Sequence, residues 1–147
     1  MEKNRKELKS FSFLILAIVA MELIRAIITL CITGGVPNAS EIPSGVTEDI
    51  ARVVYIITIA LAFIVAIPEI YVGIKGIKIA NGAKSGNAHI IWAVILAVFA
   101  GLSLISAISD IFSEFSIDGL FDILGAAINL TLFAFYYVYA CRVAKEK

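Results

Sequence analysis

The chain has 147 residues, of which 61% are hydrophobic and 16% charged, and its mean hydropathy is +0.97. An apolar fraction above the roughly 45–50% of soluble globular domains excludes an ordinary water-soluble fold. The formal net charge is zero, so there is no overall basic field to hold nucleic acid, and the useful information lies in where the charges fall.

Four apolar runs reach or approach the ~20 residues that a ~30 Å hydrocarbon core demands of a helix: residues 11–32, 53–74, 90–108 and 120–140. They leave no room for a separate soluble domain. The expected fold is all-α, a single four-span domain forming an antiparallel membrane bundle. Ten basic residues (Lys3, Arg5, Lys6, Lys9, Lys75, Lys78, Lys84, Arg142, Lys145, Lys147) and three acidic ones put +7 on the termini and middle loop. The other two loops hold Arg52 against seven acids, a sum of −6. By the positive-inside rule both termini are cytoplasmic, and a plasma-membrane location is expected.

The first run starts on a basic segment, as a signal peptide would. It is longer than a typical signal core and is interrupted by Glu22 and Arg25, and no small-residue cleavage site follows, so it reads as a retained span. Glu22, Arg25, Ala26, Thr29 and Thr33 are spaced 0, 3, 4, 7 and 11, which places them on one helical face in the outer half of the span. Two central charges cost about 5–7 kcal/mol, and the thirteen Leu, Ile, Phe and Val residues of this run offset about 4–8. Such a helix needs its polar face covered by protein or water. At ~1.5 Å rise per residue, Glu22 lies ~16 Å from the inner end of its span and Asn129 ~14 Å from the outer start of the fourth. Thr58 and Ser103 fall at similar depths, so this layer is the expected pathway for a small solute or ion. The competing expectation is that Glu22 and Arg25 satisfy one another while Asn129 cross-links helices.

The first outer loop, rich in Gly, Pro and small polar residues, is an irregular connection that includes the sequon Asn38-Ala39-Ser40. Thr47 ahead of Glu48 and Asp49 predicts a helix start. In the second span Pro68 removes a backbone donor and predicts a bend, and Glu69 beside it is a further pathway candidate or an acid paired with a nearby base. Ile74, Ile77 and Ile79 alternate with Lys75 and Lys78, as suits a helix end among headgroups. His89 is expected to be a solvated residue of the inner loop.

In the third span Ala93, Ala97 and Gly101 form a small-residue stripe for close helix packing, and Gly125 offers the same on the fourth. Between these spans, residues 110–122 predict a short amphipathic helix in the outer interface, with a break near Ser116. Asp110, Glu114, Asp118 and Asp122 are weak cation candidates, since a break would separate them. The fourth span ends in a dense aromatic band. Cys31 and Cys141 lie at opposite ends of their spans, beyond disulfide reach.

No phosphate loop, cysteine–histidine cluster or nucleophile with an evident base is present, so no enzyme activity, cofactor or structural metal is expected. The size and layout resemble those of small multidrug transporters, fluoride channels and claudins, but no signature motif of any of them occurs, so the layout implies no activity. The expected function is that of an oligomeric channel or transporter. The alternative is a non-transporting structural or regulatory subunit that binds membrane-protein partners or lipids.

Overall fold

The computed structural model describes residues 2–36, 45–84, 86–113 and 116–146, apart from the side chains of Ser113 and Asp118. Four helices account for nearly all of it: α1 (Glu2–Thr33), α2 (Glu48–Ala80), α3 (Ala88–Ser113) and α4 (Ile117–Lys145). Each is long and apolar enough to cross a membrane, so the chain is an integral membrane protein whose helices fit a membrane bundle. The sequon, residues 38–40, lies outside the described residues.

The helices outrun the apolar runs. α1 begins nine residues ahead of its predicted span because Lys, Glu and Arg propagate a helix well, and because Leu8, Ser12, Ile15 and Val19 keep a buried stripe at steps of four, three and four. Each end has a local cause. At the end of α1, Gly34 and Gly35 take φ of +60° and +79°, a left-handed step open to glycine. The Thr33 hydroxyl donates to the Thr29 carbonyl at 2.8 Å and accepts from the Gly35 amide at 3.3 Å. Thr47 starts α2, its carbonyl accepting from the Ala51 amide at 3.0 Å, with Glu48 and Asp49 in the first turn as expected. α2 finishes in a Schellman motif: the Gly82 amide reaches the Ile79 carbonyl at 2.9 Å and the Ala83 amide reaches that of Lys78 at 3.0 Å, with Gly82 at φ +96°. Ser116 caps α4 by accepting from the Gly119 amide at 3.0 Å.

The separate interfacial helix expected over residues 110–122 is not formed. Residues 110–113 continue α3 and residues 117–122 open α4, since the capping serine starts a new helix pointing straight into the apolar run. α2 continues through Pro68 as one helix.

The chain divides into two compact units. The first comprises Met1–Leu16 and Glu69–Lys147, the second Ala17–Pro68. In the first unit α3 packs on α4. Its core is built from Leu8 and Ile15 of α1, Val72 and Ile79 of α2, Ala93, Leu96, Ala100 and Ala107 of α3, and Leu132, Phe133, Tyr136, Ala140 and Val143 of α4. On α3 the buried line steps by three, four and seven, close to the 3.5 average that keeps a seam facing its partner. The predicted stripe steps by four throughout and drifts about 40° per step. Ala93 is therefore fully buried while Ala97 and Gly101 are half-buried at the edge of the seam. Gly101 still meets α4, where an added Cβ would lie 3.9 Å from Leu130.

Candidate functional site

Within the first unit, buried polar side chains come from all four helices: Ser12 of α1, Glu69 of α2, His89 of α3 and Tyr136 of α4. What brings Ser12 and Tyr136 together is the absence of a side chain at Gly76. A Cβ there would collide with Ser12 Oγ and would lie 2.6 Å from Tyr136 Cε2 and 3.0 Å from its hydroxyl. One turn away, a Cβ on Gly73 would lie 2.6 and 2.7 Å from Leu16 Cγ and Cδ2. The two glycines thus let α1 and α4 approach the α2 backbone, as small residues do at membrane helix crossings.

The hydrogen bonds follow from that approach. Tyr136 donates its hydroxyl to the Val72 carbonyl at 3.0 Å, using the second lone pair that a helical carbonyl keeps. Ser12 donates back to the Leu8 carbonyl at 2.7 Å, the usual solution for a buried helical serine. His89, in the first turn of α3, holds Nδ1 2.9 Å from the Gly86 carbonyl, and since a carbonyl only accepts, that nitrogen carries the proton. Its ring stands edge-on to Tyr136, centroids 6.2 Å apart at 85°.

His89 is only 3% exposed, which corrects the expectation of a solvated loop residue: Asn87, not His89, starts the helix, its carbonyl accepting from the Ile90 and Ile91 amides. The ring is thereby carried onto the inward face beside Tyr136. Glu69 is 8% exposed. It shares the face of Val72, Gly73 and Gly76 by its spacing of three, four and seven, so it faces the packed interior of this unit.

The predicted outer stripe is different. α1 is one continuous helix, so Glu22, Arg25, Ala26, Thr29 and Thr33 do share a face. Glu22 and Arg25 are exposed in the single chain, among exposed Met21, Ile24, Ile27 and Ile28, while Thr29 and Thr33 are half-buried. Within the second unit the stripe meets α2 at its outer end, where the Thr33 and Tyr55 hydroxyls are 3.5 Å apart. Asn129 belongs to the first unit, half-buried on α4, and it and Glu22 each engage in an interaction. Thr58 and Ser103 are exposed.

Gly125 is exposed, with no atom within 4 Å of where a Cβ would stand. Asp110 and Asp122 are exposed on different helices, Glu114 and the Asp118 side chain lie outside the described residues, and no group of metal-ligating side chains occurs among the described residues. Both cysteines are free. An apolar cleft of about 460 Å³ runs between α3 and α4, lined by Val94, Ala97, Val98, Ala134, Tyr137 and Val138.

Sequence reasoning did not single out Ser12 or Tyr136, and it put His89 in the solvated loop. Tyr136 entered only as part of the aromatic band that ends the fourth span. The usable signal was Gly73 and Gly76 on α2, whose missing side chains need neighbours to fill the space. No known protein family, curated protein or solved structure matches the chain.

Proposed function

We propose that the chain is a self-associating membrane subunit whose copies together form or line a pathway for a small solute or ion, with Glu22, Arg25, Thr29, Asn129 and Glu69 along it and both termini in the cytoplasm. The exposure of Glu22 and Arg25 on a membrane-spanning helix carries this reading. Facing lipid, each costs about 2.5–3.5 kcal/mol at mid-bilayer depth; against a second copy, with water between, the cost falls and the charges become available to a permeating species. Four helices enclose little volume, which is a further reason to place the path between copies.

The test replaces Cys31 and Cys141 by serine, introduces Ala26→Cys and oxidises the protein in native vesicles, alongside flux measurements in proteoliposomes. A disulfide-linked dimer together with a flux lost in Glu22→Gln supports the proposal. No self-crosslink and no flux, with a stable complex containing another membrane protein, selects the structural or regulatory subunit instead.

A further inference from the structure

Four helix ends meet at one end of the first unit. The Asn4 amide of α1 donates to the Glu146 carboxylate after α4 at 2.6 Å, Arg5 of α1 abuts the turn after α2, and His89 at the start of α3 meets Tyr136. This end carries Lys3, Arg5, Lys6, Lys9, Lys75, Lys78, Lys84, Arg142 and Lys145 against Glu2, Glu7 and Glu146. Several of these cations have aromatic seats: Lys75 Nζ lies 5.9 Å from the Tyr71 ring centre and the Arg142 guanidinium 5.4 Å from that of Tyr139. Such pairs mark the depth at which headgroups begin.

Arg5 is held differently. It is half-buried, and its Nε is occluded with no hydrogen-bond partner. It rests against Gly82, where an added Cβ would be 3.7 Å from Nη1. Two carbonyls beside this turn, those of Lys78 and Ile79, already accept the turn amides of the Schellman motif. The guanidinium thus keeps its donors beside a rigid, side-chain-free turn. A charged donor left buried and unpaired is costly, and a planar fork of N–H groups matches a phosphate oxyanion. Lys9, one helical turn on, and Lys84, two residues past Gly82, add charge of the right sign; Glu146 is the opposing carboxylate nearby and accepts from Asn4.

We infer that Arg5, standing on the Gly82 turn, is an oxyanion site for the phosphate of an anionic phospholipid. The cations gathered at this end against only Glu2, Glu7 and Glu146 select the lipid as the source, because a basic cluster at helix ends draws an anionic membrane surface. The inference is independent of any transport.

Native mass spectrometry of the full chain in detergent tests it with dioleoylphosphatidylglycerol, dioleoylphosphatidylcholine and inorganic phosphate at matched ionic strength. The wild type is expected to retain the anionic lipid about tenfold over the zwitterionic one, the size of one charge-assisted contact. Arg5→Gln is expected to lose that preference, and Lys3→Gln with Lys6→Gln to keep most of it. Arg5→Lys, which preserves charge and so protects folding, is expected to retain only part of it because the fork is gone. A preference unchanged in both Arg5 variants, or lost equally in the lysine pair, overturns the site in favour of diffuse attraction. Displacement of the lipid by inorganic phosphate at equal concentration overturns the lipid assignment.

Discussion

The two units of this chain treat polar side chains inside an apolar environment in opposite ways. In the first, Ser12, Glu69, His89 and Tyr136 are buried, and Gly76 lets Ser12 and Tyr136 close on the α2 backbone. In the second, Glu22 and Arg25 stand exposed on α1 among large apolar side chains. The contrast separates polar groups buried within one unit from charged groups exposed on a helix of the other. Small residues at a crossing point decide which is which, because backbone approach, and not the polar group itself, is what excludes lipid and water.

Breaking the first layer should have the largest effect. Gly76→Val forces a branched side chain into the space of Ser12 Oγ and Tyr136, and overpacking of this kind costs about 1–3 kcal/mol or more. A sharp drop in thermal unfolding temperature and in monodisperse yield is expected; a near-normal unfolding temperature would refute the close approach.

Next comes the exposed pair. Glu22→Ala strands a guanidinium that stays charged without the carboxylate three residues away on its face, whereas Arg25→Ala leaves no cation behind. Folded yield should therefore fall further in Glu22→Ala, by up to about 3 kcal/mol of insertion cost if the stripe faces lipid. Equal yields from membrane fractions would show that the stripe is wet or covered.

A smaller change is expected for Tyr136→Phe, which deletes the bond to the Val72 carbonyl and little else. Hydrogen bonds between membrane helices average about 0.6 kcal/mol, so unfolding in detergent should shift by a few degrees at most; no shift at all would argue against that bond. The least disruptive substitution sharpens the contrast from the other side. Gly125→Ala meets nothing within 4 Å and removes a flexible residue from a helix, a gain of about 0.5–1 kcal/mol. A destabilised Gly125→Ala monomer would reveal an unseen neighbour.

The membrane-spanning helices were legible in the sequence because apolar length against bilayer thickness is a one-dimensional quantity. The start of α2 was legible for a related reason: Thr47 acts through its own backbone neighbours, whereas Ser116 was read only as a break and not as the cap of α4. The candidate site was legible only in part. Helical spacing placed Glu22 through Thr33 on one face, since α1 is unbroken, but on α3 the stripe gave only part of the buried line: Ala93 is buried and Ala97 and Gly101 are half-buried, because steps of four drift while alternating threes and fours do not.

What the sequence determined by itself was the class of object, four spanning helices with basic residues concentrated at their shared ends, because hydrophobicity and charge are summed along the chain. Tertiary structure alone decided that His89 is interior, that Glu69 belongs to a packed unit, and that Arg5 rests on the Gly82 turn. Those facts depend on which helix lies against which glycine, a relation between residues 64 or more positions apart in the case of Ser12 with Gly76 and of Tyr136 with Val72. No local pattern carries it.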